Sequence, residues 1–177
     1  ELCCKKLGIH AYGNVGKLVA KIAKGFGMEV FAFDPFVAKK TIEADGVTVF
    51  DTVEELYSTC DYVSLHIPAN EHTIKSINYD LLSKMKPNAV LVNTARKEVI
   101  NEDDMIKIFT EKSGFKYVSD IAPSNKELLL ESYPNRCFFT PKKMGAQTAE
   151  ANINAGKAAA RQIISFLEKG DTTFKVN

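Results

Sequence analysis

The chain has 177 residues, of which 45% are hydrophobic and 25% charged, and its net charge is +1. That composition fits a soluble globular domain long enough to bury a real core, and the near-zero charge excludes the electrostatic footprint of a nucleic-acid or anionic-membrane binder. No run approaches the ~20 apolar residues of a transmembrane helix, residues 1–6 are not a signal peptide, and Cys3, Cys4, Cys60 and Cys137 show no CxxC spacing, so reduced thiols in a cytoplasmic protein are expected.

Leu7 to Ala11 is an apolar strand that runs straight into Tyr12-Gly13-Asn14-Val15-Gly16. A helix follows over about 14–25, with Val15, Leu18, Val19, Ile22 and Phe26 on one stripe at i, i+3, i+4, i+7 spacing. Glu29 to Phe33 is the second strand and ends on Asp34-Pro35; Val47 to Phe50 is a short third. Thr52-Val53-Glu54-Glu55 forms a capping box that opens a short helix to Ser58. Tyr62 to His66 is a fourth strand, stopped by Ile67-Pro68, and a helix from Asn78 through Met85 leads to a fifth strand, Ala89 to Asn93. Asn101 caps a helix through about Lys112, Tyr117 to Ile121 is the sixth strand, a helix covers about Glu127 to Tyr133, and Cys137 to Thr140 is the seventh strand. The last element is a long helix over about Thr148 to Lys169, with Ile153, Ala160, Ile163, Ile164 and Leu167 along a face and Gly170 as its C′ residue. Strands alternating with helices specify an α/β fold, a doubly wound parallel sheet of about seven strands, with no repeat or linker.

Strand, glycine turn, helix, strand and acid read as a dinucleotide site. The glycines let the backbone approach a pyrophosphate, the helix N-terminus offers unpaired N–H groups, and the carboxylate accepts from adenosine ribose hydroxyls. Ala11 stands where the first glycine of G-x-G-x-x-G would fall, and alanine keeps the tight turn if its φ stays negative. Asp34 favours NAD over NADP. In such a sheet ligands gather at the carboxyl ends of strands. That rule selects His66 and Pro68, Thr94-Ala95-Arg96, Asp120, and Pro141-Lys142-Lys143, each of which taken singly is as well explained by packing, capping or solvation.

His66-Ile67-Pro68 with Thr73, Val92-Asn93-Thr94-Ala95-Arg96, Ser119-Asp120, Thr140-Pro141 and Thr148-Ala149-Glu150-Ala151 resemble successive signatures of the D-2-hydroxyacid dehydrogenases. The resemblance spans nearly the whole chain. It implies a cofactor domain, here residues 1–177, inserted in a substrate domain whose roughly hundred leading residues are missing from this sequence, and a final helix returning toward that domain. It further implies NAD as cofactor, a phosphorylated 2-hydroxy acid as small-molecule substrate, and a homodimer formed through the cofactor domain.

Carried over residue by residue, the resemblance places Tyr12, Gly13, Asn14 and Val15 at the pyrophosphate, and Asp34 with Pro35 at the adenosine ribose. His66, Ile67, Pro68 and Thr73 lie along the cofactor, Thr94 and Ala95 approach the nicotinamide ribose, and Asp120 holds the carboxamide. Arg96 matches the arginine that grips the substrate carboxylate and polarises the reacting carbonyl. The family's glutamate–histidine pair is missing: its glutamate falls on Asn125, and its histidine on a lysine. Aligned forward from Thr140-Pro141 that lysine is Lys142; aligned backward from Gly145, Thr148, Glu150 and Ala151 it is Lys143, the favoured register. A lysine accepts a proton only when neutral, so the joint loss of both partners is chemically coherent. Two other readings stay open, a dehydrogenase for another D-2-hydroxy acid and a non-catalytic NADH-sensing binding protein.

Overall fold

A computed structural model describes residues 1–143, 145 and 147–176, and the chain divides into two compact units, Glu1–Lys142 and Lys143–Asn177. In the first unit the strands β1 (Lys6–His10), β2 (Glu29–Phe33), β3 (Thr48–Val49), β4 (Tyr62–Leu65), β5 (Val90–Asn93), β6 (Lys116–Ser119) and β7 (Cys137–Phe139) form one sheet. All pairings are parallel, in the order β3-β2-β1-β4-β5-β6-β7. The order reverses between β1 and β4, which is the switch point where an α/β sheet opens a crevice. The helices are α1 (Asn14–Gly25), α2 (Lys39–Ala44), α3 (Val53–Thr59), α4 (Tyr79–Leu82), α5 (Glu102–Glu111) and α6 (Lys126–Ser132).

Several helix starts follow their sequence signals. Thr52 and Glu55 form the reciprocal capping box, Asn78 accepts from the Leu81 N–H at 3.2 Å, and Asn101 accepts from the Asp104 N–H at 3.4 Å. Beyond shifts at element ends, such as α4 stopping at Leu82 rather than Met85, three features differ from expectation. The helix α2 was not expected, although its residues are mostly good helix formers, Ile42 buries fully beneath it, and Gly46 at φ 66° closes its end. Residues 97–99 form a single 3-10 turn, also unexpected. The third concerns which face of α1 meets the sheet.

The stripe of large apolar residues on α1 points away from the core: Val15, Leu18, Ile22 and Phe26 are between 59% and 61% exposed. Its buried residues are Gly16, Ala20 and Ala23. Small residues let the helix axis approach the strands. A Cβ on Gly16 would stand 2.5 Å from the Ala11 carbonyl oxygen and 3.1 Å from Ile9 Cγ2, so only glycine fits that contact. At Gly8 a Cβ would meet Leu56 Cγ at 2.9 Å and Cys60 Sγ at 3.0 Å, so α3 seats equally closely on β1.

The core has two clusters. One gathers Leu7, Ile9, Val30 and Ala32 with Ala20, Ala23 and Ile42; the other joins Leu56, Tyr57, Val63, Leu65, Leu91 and Tyr117 to residues of α4 and α5 such as Leu82, Ile108 and Phe109. The second unit holds α7 (Ala149–Lys169), capped by the Thr148 hydroxyl, which accepts from the Ala151 N–H at 3.0 Å, and closed by Gly170 at φ 66°. No residue of α7 is buried, and Ile153, Ile163, Ile164, Phe166 and Leu167 are exposed. Among the described residues no helix is long and apolar enough to cross a membrane.

Candidate cofactor site

The glycine turn follows β1. Ala11 donates its N–H to the Phe33 carbonyl at 3.0 Å and has a φ of 78°, so the turn is left-handed at this residue and the expectation of a negative φ is overturned. A Cβ in that region costs about 1 kcal/mol. Its consequence is geometric: Tyr12 N–H then reaches Asp34 Oδ2 at 2.7 Å. The other oxygen of Asp34 accepts from the Phe36 and Val37 N–H groups at 2.8 and 3.2 Å. Asp34 therefore locks β1 to β2, and Oδ2, with one donor, retains a lone pair for a further one. Pro35 lies exposed beside it.

Tyr12 enters the turn by its backbone only. Its ring is fully buried, its hydroxyl donates to Asp45 Oδ2 at 3.2 Å, and burial, reinforced by the Asp45 carboxylate, pushes the phenol up to about 12. The N-terminus of α1 has the form that a pyrophosphate requires. Gly13 is its N-cap with no side-chain cap bond, the first turn carries no acid, and a Cβ on Gly13 would meet nothing within 4 Å. Exposed Asn14 and Val15 follow it. Unpaired N–H groups, the positive end of a 12-residue helix and open space at the glycine fit an anionic phosphate.

At the end of β4, His66 donates its backbone N–H to the His10 carbonyl at 2.9 Å, and its Nε2 lies 3.0 Å from Ser64 Oγ. Ile67 is buried, and the Pro68 carbonyl accepts from the Thr73 hydroxyl at 2.6 Å, which folds the 68–73 loop back on itself. After β5, Asn93 organises the next loop. This buried side chain accepts from the Ala95 N–H at 3.0 Å and donates to the Arg96 carbonyl at 3.0 Å, shaping Thr94-Ala95-Arg96. Arg96 is exposed, with Nη1 donating to the Ala95 carbonyl at 2.8 Å. The buried Ser119 hydroxyl donates toward the Asn93 and Ile121 carbonyls at 2.8 Å, Asp120 N–H meets the Asn93 carbonyl at 3.3 Å, and Thr140 Oγ1 donates to the Asp120 carbonyl at 3.0 Å.

The carboxyl ends of β1, β2, β4, β5, β6 and β7 thus bring together the glycine turn, Asp34, His66–Pro68, Thr94–Arg96, Asp120 and exposed Lys142, whose carbonyl accepts from Thr140 Oγ1 at 3.2 Å. Lys143 begins the second unit, and the stretch that fixes its register passes through Met144 and Ala146, outside the described residues. Asn125 begins α6; its amide donates to the Glu102 carbonyl at 3.4 Å, and its Oδ1 is buried with no hydrogen-bond partner among the described residues.

Sequence reasoning gave no role to Asn93, Ser119, His10 or Tyr57. A polar residue closing each of the strands VLVN and KYVS was the available signal for the first two. His10 Nδ1 lies 3.2 Å from the Tyr57 hydroxyl, and no motif marked that pair. Burial lowers both His10 and His66 from 6.5 to about 4, with Asp34 opposing the shift at His10 and His66 adding to it. Both histidines are neutral in the fold, whereas the unfolded chain protonates them near 6.5. Stability from this source is therefore complete above about pH 6.5 and is lost as pH falls toward 4. Denaturant titrations stepped between these limits should show a loss of about 3 kcal/mol for the pair, allowing for their partial exposure, and His66→Gln should flatten the slope. A flat profile in the unsubstituted chain would refute this account.

Comparison with known proteins agrees with this geometry. The family model for the D-isomer specific 2-hydroxyacid dehydrogenase, NAD binding domain, matches residues 1–141. The chain is 34% identical over 169 residues to D-3-phosphoglycerate dehydrogenase of Synechocystis sp., covering 94% of this chain and 30% of that protein. It is 33% identical over 172 residues to hydroxypyruvate reductase of Thermotoga maritima, covering 94% and 54%. The crystal structure of NAD+-bound 3-phosphoglycerate dehydrogenase of Entamoeba histolytica matches with a TM-score of 0.87 at 41% identity, covering 100% of this chain and 56% of that one. The chain thus spans between about a third and just over half of these relatives. A left-handed glycine-type turn feeding an uncapped helix, an acid locked at the end of the second strand, and a sequence match over most of the first unit lead to one assignment: the chain belongs to the D-isomer-specific 2-hydroxyacid dehydrogenases, and its residues 1–141 match their NAD-binding domain.

Proposed function

We propose that this chain is the cofactor domain of an enzyme that oxidises 3-phosphoglycerate to 3-phosphohydroxypyruvate with NAD, the entry to serine synthesis. The observation that carries this reading is the likeness, over the whole chain, to the NAD+-bound 3-phosphoglycerate dehydrogenase of Entamoeba histolytica. A second reading, another 2-hydroxy acid as substrate, is favoured by the comparable identity to a hydroxypyruvate reductase.

The bound NAD supplies the hydride acceptor. The rest is the work of this chain. Gly13, Asn14 and Val15 present backbone N–H groups to the pyrophosphate, and Asp34 beside Pro35 accepts from the ribose hydroxyls while opposing a 2′-phosphate. His66, Ile67, Pro68 and Thr73 flank the cofactor, Thr94 and Ala95 approach the nicotinamide ribose, and Asp120 holds the carboxamide. Arg96 binds the substrate carboxylate through its planar fork. Lys143 removes the proton from the substrate hydroxyl oxygen as hydride leaves the carbon that bears that hydroxyl, with Lys142 the candidate if the register shifts by one. Asn125 stands where the family's glutamate falls, so the residue at that position is neutral.

The test is NADH formation by the longer enzyme. Turnover of 3-phosphoglycerate should exceed that of glycerate at least ~100-fold in kcat/KM, a difference of about 2.7 kcal/mol, and NADP should not replace NAD. Equal use of both acids would transfer the assignment to the second reading, and no turnover of either would leave a binding protein.

Self-association through the cofactor domain is part of the proposal. Val15, Leu18, Ile22 and Phe26 give α1 an exposed apolar face that a second copy would cover. Leu18→Glu with Ile22→Lys should convert a dimer to a monomer in sedimentation analysis with the fold retained. An unsubstituted protein that sediments as a monomer would end this part of the proposal.

A further inference from the structure

The turn that leads into β1 holds two thiols side by side. Leu2 to Lys5 is a hydrogen-bonded turn, the Lys5 N–H meeting the Leu2 carbonyl at 3.1 Å, with Cys3 and Cys4 at its corners. Cys4 has a φ of 63°, the left-handed second corner of a type II turn, where glycine or asparagine is the usual occupant. A side chain there is strained. The Cys4 N–H donates to the Gly27 carbonyl at 2.9 Å and holds that conformation. Gly27, itself at φ 72°, leaves the room that Cys3 fills, since a Cβ on Gly27 would come within 3.3 Å of Cys3 Sγ. The outcome is an Sγ–Sγ distance of 3.4 Å between two exposed cysteines.

Thiols this close can join each other or share a third atom. Joining is disfavoured, because neighbouring Cα atoms stand about 3.8 Å apart across a trans peptide while ordinary disulfides begin at about 4.4 Å. A soft atom about 2.3 Å from each sulfur, the length of a zinc–thiolate bond, spans 3.4 Å at an S–X–S angle of about 95°. That angle suits a three-coordinate pyramidal centre. A tetrahedral cation at the same bond length would need the sulfurs about 3.8 Å apart and two further ligands, and the described residues contain no group of three or more His, Cys, Asp or Glu placed to hold a metal.

We propose that Cys3 and Cys4 form a vicinal-dithiol site for trivalent organoarsenicals. With an arylarsine oxide, two S–H bonds and the As–O bond break, two As–S bonds form and one water leaves. Arsenic stays trivalent and neither sulfur is oxidised. The hydrogen bond shared with Cys3 raises the Cys4 thiol above its usual value, and the two thiols supply both protons of that water. The site lies at the amino ends of the strands, where Lys6 pairs with Glu29, at the opposite edge from the cofactor residues.

Intact-mass spectrometry of the 177-residue chain, treated with phenylarsine oxide in excess glutathione, tests the proposal. One adduct is expected, stable to glutathione and removed by 2,3-dimercaptopropanol, with NAD binding unchanged by calorimetry. Cys3→Ser and Cys4→Ser should each bind at least ~100-fold more weakly, because the second As–S bond loses its intramolecular advantage. Cys4→Gly relieves the left-handed strain, so it should fold with a raised Tm and form no adduct, while Cys137→Ser keeps it. No adduct on the unsubstituted chain, or an adduct that survives Cys4→Gly, would overturn the site.

Discussion

Lys143→Ala is expected to reduce 3-phosphoglycerate oxidation by the longer enzyme about 1,000-fold, within the usual range for loss of a general base, with the fold and NAD affinity unchanged. Lys142→Ala should do much less, and Lys143→His should restore part of the rate, since imidazole offers a neutral base near pH 7. A lysine accepts a proton only in its uncharged form, so the oxidative rate should climb with pH. Asn125→Glu should move that climb to higher pH, because a carboxylate stabilises the ammonium form and keeps the proton on until a higher pH is reached. Asn125 can take this substitution without breaking a cap, as α6 starts there with no side-chain cap bond. If Lys142→Ala abolished turnover and Lys143→Ala did not, the register would be wrong by one residue. If both retained activity, the lysine mechanism would have to be abandoned.

The second large effect concerns Arg96. Arg96→Lys keeps the charge but replaces a planar fork of five donors with a compact ammonium. In the longer enzyme kcat/KM should fall at least ~100-fold, about 2.7 kcal/mol of transition-state stabilisation, while the dissociation constant for NAD barely changes. Its surroundings favour this separation. Asn93 fixes the loop through the Ala95 N–H and the Arg96 carbonyl, while the guanidinium reaches only the adjacent Ala95 carbonyl among the described hydrogen bonds, so the substitution leaves the bonds to Asn93 in place. Near-normal turnover would demote Arg96 to a loop residue.

Most of the fold was legible because its signals are local. Seven short apolar runs bounded by Gly, Pro, Asn and Asp, with helical spacing between them, need no long-range information, and the chain order of the strands, together with the rule that such sheets are doubly wound, gave the architecture. Thr52 and Glu55, Asn78, Asn101, Thr148 and Gly170 mark helix ends for the same reason, since a cap acts within one turn. The glycine turn and Asp34 were legible as a pair because a strand, a turn and a helix set their spacing.

What the sequence by itself determined was therefore the order of elements, the carboxyl-edge loops that carry the candidate site, and the kind of cofactor those loops suit. Tertiary structure alone decided which surfaces meet. Periodicity marks an apolar stripe on α1 but not its destination; the sheet accepts Gly16, Ala20 and Ala23 because close approach of backbones requires small side chains, and the large residues are left facing outward. The left-handed φ of Ala11 goes with a Tyr12 N–H that reaches Asp34, a contact between residues 22 positions apart that no local signal announces. Asn93, Ser119, His10 and Tyr57 acquire their roles only when neighbouring strands bring their partners within hydrogen-bond distance, and a polar side chain carries no record of that partner in its own sequence neighbourhood.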